Sequence, residues 1–85
     1  LNDDWSIDDL RDCLRDGNFP IVGIERRFFG FPSAAHAVVL IGVRSDEVEM
    51  LDPLIEPPRI TKIETFKSAW HSAGQEALVL FSSLP

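Results

Sequence analysis

Apolar positions fall into two kinds of pattern along these 85 residues. Ile7, Leu10 and Leu14 recur at three- and four-residue spacing, as do Ile63, Phe66 and Trp70. That is the period of one helix face. The other apolar segments are short runs: Ile21-Val22-Gly23-Ile24, Ala37 to Val43, the alternating Glu47-Val48-Glu49-Met50-Leu51, and Ala77 to Phe81. Their length and β-branched content predict strands.

The first helix carries a start and a stop. The Ser6 hydroxyl is placed to accept from the Asp9 amide, and Trp5 before the cap faces Leu10 as a hydrophobic staple. Asp8 and Asp9 suit the positive end of the helix dipole, and Gly17 can take the left-handed conformation that ends a helix. A helix is predicted over residues 7–16. The second is predicted from Thr61, where Thr61 and Glu64 fit a capping box, to Gly74.

Between these helices, Pro20 introduces the first strand, and residues 26–35 form a loop with Phe28, Phe29 and Phe31 around Gly30. The run Ala37–Val43 is apolar on both faces, which predicts a central strand with both faces covered. Arg44-Ser45-Asp46 makes a turn, Asp52-Pro53 stops the returning strand, and a proline-rich loop runs through Pro57-Pro58. The order α-β-β-β-α-β reads as one α+β domain over residues 1–85, an antiparallel sheet flanked by two helices.

Composition narrows the function classes. Eight basic against fourteen acidic residues give a net charge of −6, which argues against nucleic acid and anionic membranes as partners. Four of those net charges fall within residues 1–16, where Asp3, Asp4, Asp8, Asp9, Asp12 and Asp16 oppose Arg11 and Arg15. A solvated helix face accounts for them. The longest apolar run, Ala37–Val43, is far short of the roughly 20 residues that span a bilayer. One cysteine, Cys13, excludes an internal disulfide and a cysteine-rich zinc site. His36, Asp52 and Glu49 carry no metal-ligand spacing, and no phosphate-binding glycine loop is present, so no metal or cofactor is expected.

His36 is the candidate for chemistry, because it stands where a loop enters the central strand. Asp52 stands at the far end of the neighbouring strand, so a hairpin brings both to one sheet edge. They share a face only if paired residue numbers add to an even value. A three-residue turn with Val43 opposite Glu47 meets that condition and makes His36 the diagonal neighbour of Asp52. Asp52 would then fix the imidazole tautomer and leave the other ring nitrogen as a base. A strand-end histidine beside a turn-forming Asp-Pro is the plainer alternative. Phe28, Phe29 and Phe31 near His36 are candidate groove residues, or simply loop residues packed on the core.

The stretch His36-Ala37-Val38-Val39-Leu40-Ile41-Gly42-Val43, then Asp52-Pro53, then Phe66 and Trp70 four apart, resembles the second half of papain-like cysteine peptidases. The nearest in pattern are the double-glycine leader peptidases that trim bacteriocin precursors. The Gly17-Asn18-Phe19-Pro20 bend and the strand after it follow the same pattern, and the resemblance extends over residues 5–82. It implies His36 as the catalytic base and Asp52 as its orienting partner. In that family the nucleophile lies upstream in a Gln…Asp-Cys-Gly stretch, which this sequence lacks. Cys13 is followed by Leu14-Arg15 and flanked by Asp9, Asp12 and Asp16, surroundings unsuited to a thiolate.

Three roles remain open on this sequence. The chain is the C-terminal portion of such a peptidase, inert alone and completed by an N-terminal half. Or it is a degenerate domain that docks an extended or leader-like peptide, or a self-associating module whose exposed face is covered by a second copy.

Overall fold

The computed structural model describes residues 5–52 and 55–80; Asp3, Asp4, Pro53 and Phe81 lie outside the described residues. Helix α1 (Ile7–Arg15) begins on a reciprocal cap: the Asp9 amide donates to Ser6 Oγ at 3.1 Å, and the Ser6 amide donates to Asp9 Oδ2 at 2.9 Å. Leu10 is fully buried and Trp5 packs on the same core, as a staple requires. The helix ends in a Schellman arrangement, with the Gly17 amide donating to Leu14 O and the Asn18 amide to Cys13 O. Gly17 has φ +84°, a conformation that side-chain-bearing residues rarely adopt.

Five strands follow: β1 (Phe19–Glu25), β2 (Ala35–Val43), β3 (Glu47–Asp52), β4 (Ile55–Lys62) and, after helix α2 (Ile63–Ser72), β5 (Ala77–Leu80). They form one antiparallel sheet in the order β4-β3-β2-β1-β5, with β2 central. A short 3-10 turn, Arg26–Phe29, fills part of the predicted loop after β1. The architecture is α+β, as the residue pattern predicts.

Three expectations are corrected. The proline-rich segment is a strand, not a loop. β4 lies at the sheet edge, and its register against β3 shifts between Met50↔Arg59 and Asp52↔Ile55. Pro57 and Pro58 fall in that irregularity, where their missing amides remove no ladder bond. The second helix therefore starts at Ile63, with Thr61 still paired to Val48, so the Thr61–Glu64 capping box does not form. Its first amide is satisfied instead by the Asp46 carbonyl at 2.9 Å.

The third correction concerns coverage. Val22, Ile24, Val38, Leu40, Val48 and Met50 of the sheet join Leu10, Phe66, Ala69 and Trp70 of the helices in one buried cluster. Val22 pairs with Val38 and Leu40 with Met50, so these strand residues share a face, and both helices pack there. The Trp70 ring stacks on Phe66 and its Nε1–H donates to Glu76 O at 2.9 Å, so its one polar group is satisfied. Among the described residues no helix packs on the opposite face. Leu78, Ile21, Val39 and Leu51 form a row across four strands there, and Phe19, Leu51, Ile60 and Leu78 are 51, 37, 55 and 56 % exposed.

Candidate active site

The hairpin that joins β2 and β3 decides whether His36 and Asp52 meet. Val43 pairs with Val48 and Gly42 with Glu49, an odd sum that would separate the two residues onto opposite faces. A β-bulge between Leu40 and Gly42 then shifts the register, and Leu40↔Met50 and Val39↔Leu51 have an even sum. The even parity needed for the pair is thus present at their end of the strands. It arises from the bulge at Ile41, not from the three-residue turn with Val43 opposite Glu47. The bulge has a packing cause. Val38, Leu40 and Val43 all belong on the core face, and a regular strand would turn Val43 away from it.

At the open end of this hairpin His36 Nε2 lies 2.8 Å from Asp52 Oδ1. A carboxylate only accepts, so Nε2 carries the proton of this contact and Nδ1 is the ring nitrogen not held by Asp52. Nδ1 makes no hydrogen bond with the described residues. The side chains are 15 and 14 % exposed, sheltered enough to hold one geometry yet reachable from solvent.

Ile24, Arg26, Phe29, Phe31, Val38, Met50 and Arg59 line the hollow around this pair. Of the three loop phenylalanines, Phe29 and Phe31 reach it. Phe28 instead packs on the core beneath the Arg27 guanidinium, 4.7 Å from its ring. Glu25 ties this loop down. Its carboxylate accepts from the amides of Arg27 and Ala34 at 3.1 and 2.9 Å and from Ser33 Oγ at 3.0 Å. The Arg27 amide, with help from the other two donors and the Arg27 charge, holds the Glu25 carboxyl below its ordinary value.

The other candidates lie elsewhere. Glu49 faces the opposite side of the sheet and pairs with Arg44 at 3.3 Å, which takes it out of any cluster with His36 and Asp52. Gln75 Nε2 donates to Trp5 O at 2.6 Å, and the exposed His71 lies 3.1 Å from Gln75 Oε1. Cys13 sits in the last turn of α1, which enters β1 at Phe19. That is the far end of the strand from Ile24, the partner of His36, about 17 Å away at 3.3 Å per residue. Burial pushes its thiol pKa up, and Asp16, Asp9 and Asp12 push it further, so its thiolate is disfavoured. Arg26, Arg59 and Met50 are site residues that the sequence did not mark. Arg59 sits in a segment whose prolines read as loop, and nothing in its spacing connects it to His36.

No family model matches this chain, and no curated protein does. Among solved structures it is similar to the crystal structure of a Bacillus anthracis protein designated a C39-like peptidase, with a TM-score of 0.77 and 22 % identity. The match covers 96 % of this chain and 50 % of that one, so the chain spans half the length of its structural neighbour. The five-stranded sheet with its two helices is a C39 peptidase-like fold.

Proposed function

We propose that residues 1–85 are the C-terminal portion of a papain-like cysteine peptidase domain, with His36 as general base and acid and Asp52 as its orienter. The observation that carries this reading is the contact from His36 Nε2 to Asp52 Oδ1, which leaves Nδ1 available. The shared fold and the half-length match support it. The nucleophile and the oxyanion donor come from residues outside this chain, because Cys13 is its only cysteine and lies at the wrong end of the sheet.

The chemistry follows from that division. Nδ1 takes the proton of a cysteine thiol, and the thiolate attacks the scissile carbonyl carbon to give a tetrahedral oxyanion. The imidazolium returns the proton to the leaving amine as the C–N bond breaks, and water then hydrolyses the thioester with Nδ1 again as base. Asp52 keeps the ring turned toward the nucleophile. Double-glycine leader peptides are the substrate class this reading suggests. His36 and Asp52 lie on the helix-covered face of the sheet, so the nucleophile would reach Nδ1 on that side at the open end of the hairpin, while another part of the completing half would cover the open apolar face; residues 1–85 alone hydrolyse nothing.

The test is to express the coding sequence with whatever residues precede Leu1 and to look for cleavage of a peptide with a double-glycine junction. Alkylation of an upstream cysteine should abolish it. A gene that starts near Leu1, or an extended product without such a cysteine, overturns the peptidase reading. The lack of a thiol near His36 favours a second reading, a domain that docks peptide without cutting it. Saturable peptide binding without turnover in the extended polypeptide would distinguish it.

A further inference from the structure

Two arginines converge on one phenylalanine beside the His36–Asp52 pair. The guanidinium carbons of Arg26 and Arg59 lie 4.6 and 5.2 Å from the centroid of the Phe31 ring. Both side chains are half-buried, and both line the hollow with His36, Asp52, Phe29 and Met50. Four of the six other cations pair with carboxylates, Arg11 with Asp8, Arg15 with Asp12, Arg44 with Glu49 and Lys67 with Glu64, while Arg27 lies over Phe28. Arg26 and Arg59 make no ion pair and no side-chain hydrogen bond with the described residues.

The hollow holds two guanidinium groups against the one carboxylate of Asp52. Sharing one ring places the two guanidinium carbons within about 10 Å of each other, no more than a Debye length at 0.1 M salt. Half burial reduces the screening further. The ring holds each guanidinium in place while leaving its planar N–H edge free, the geometry that accepts a carboxylate through two parallel bonds. Both arginines are mounted firmly. Arg26 opens the 3-10 turn, with its amide donating to Ala34 O at 2.9 Å and its carbonyl accepting from Phe31, while Arg59 stands in β4 opposite Met50. Asp52 lines the same hollow with its Oδ1 on His36, one carboxylate facing two guanidinium groups.

We propose that the Arg26–Phe31–Arg59 cluster binds a carboxylate of the peptide that enters the His36 hollow. The site thereby selects peptides carrying an acidic side chain or a free C-terminal carboxylate near the reacting bond. This rests on the reading of the hollow as a peptide site, but its test does not depend on cleavage.

The experiment is a titration of the protein followed by the arginine Nε–Hε signals of Arg26 and Arg59 and the ring signals of His36. The probes are acetyl-Gly-Gly with a free carboxylate, acetyl-Gly-Gly-amide and acetyl-Glu-amide. Both arginine signals should move with a carboxylate probe and stay still with acetyl-Gly-Gly-amide. Response to acetyl-Gly-Gly assigns a chain terminus, response to acetyl-Glu-amide a side chain, and response to both a site that reads the carboxylate alone. Arg26→Gln or Arg59→Gln should weaken binding by about tenfold, the scale of one lost charge-assisted fork, and Arg59→Lys by less. Backbone amide spectra establish that each variant is folded, and Arg59→Lys keeps the charge should a glutamine variant unfold. Lys67→Gln, which removes a positive charge outside the hollow, should bind within about twofold, since it removes no contact to the anion. Equal response to amide and carboxylate, no response to any probe, or undiminished affinity in the folded glutamine variants overturns the proposal. Carboxylate binding beside a His36→Ala variant that still cleaves would instead sink the base assignment and leave this one standing.

Discussion

Leu78→Lys should cost the 85-residue chain little and a chain with a completed domain much. Leu78 is 56 % exposed at one end of the row Leu78–Ile21–Val39–Leu51. Burying a leucine fully is worth about 1.5–3 kcal/mol, so less than half of that is realised here. A lysine can lay its methylenes along Ile21 with its ammonium in water, which limits the loss to about 1 kcal/mol or less. With a further half docked on this face, the ammonium would need desolvating or would prevent docking, a loss of about 3 kcal/mol or more. Phe19, Leu51, Ile60 and Leu78 each have about 1 kcal/mol of burial outstanding, about 4 kcal/mol per chain and about 8 kcal/mol for two copies that cover each other. Bimolecular association costs about 4–15 kcal/mol in lost freedom, so burial alone does not choose between a second copy and a covalently joined segment, which does not pay that cost again. The assay is urea unfolding of both forms with and without Leu78→Lys, with sedimentation equilibrium of the 85-residue chain. Equal losses in the two forms refute the reasoning. A tight dimer that Leu78→Lys dissociates would show that a second copy covers the face.

In the N-terminally extended polypeptide, His36→Ala should lower kcat/KM about 10³-fold. Asp52→Asn, which keeps an acceptor for Nε2–H, should lower it about tenfold; a loss as large as that of His36→Ala would show that the carboxylate does more than orient. The contribution of Glu25 to stability is acid-labile. Its folded pKa lies below the ordinary 4.5, so that contribution is complete above this value and is lost as pH falls through the lower folded value. The amide signals of Arg27 and Ala34 should therefore titrate together below pH 4.5 and stop titrating in Glu25→Gln; signals that stay fixed in the native chain would contradict the carboxylate anchor. Cys13, with its raised pKa, should react with iodoacetamide at pH 7.5 several times more slowly than free cysteine, and Cys13→Ser should leave any cleavage by the extended polypeptide unchanged. Loss of cleavage in that variant would return Cys13 to the list of nucleophiles.

The parts of the fold legible in the sequence are those set by contacts close along the chain. Ser6, Asp9 and Gly17 announce both ends of α1, because capping and left-handed termination depend on residues within one turn. His36 was recognisable from its place at a strand entrance, and Asp52 from the hairpin that follows. Strand β4 was hidden because Pro57-Pro58 reads as a breaker. Only the ladder shows that the prolines occupy an irregularity at the sheet edge. The capping box at Thr61 failed for the same reason, since pairing with Val48 holds Thr61 in the strand. Arg26 and Arg59 are 33 positions apart and meet only through Phe31, a three-body contact no local pattern encodes. Apolar residues on both sides of β2 imply a cover on each face without saying where the cover comes from.

The bulge at Ile41 links packing to the site. Val43 is needed in the core against Val48, and Val38 and Leu40 are needed on that same face. Three core positions at spacings of two and three cannot lie on one side of a regular strand, so one residue must be spent between them. Spending it at Ile41 sets odd parity near the turn and even parity near the open end, and even parity is what brings His36 to Asp52. The pair is then closed over from β1, where Glu25 gathers the amides of Arg27 and Ala34 and places Phe29 and Phe31 beside the imidazole. Core packing, hairpin register and a loop-anchoring carboxylate thus converge on the His36–Asp52 pair. A strand-end histidine kept only for packing would require none of that convergence.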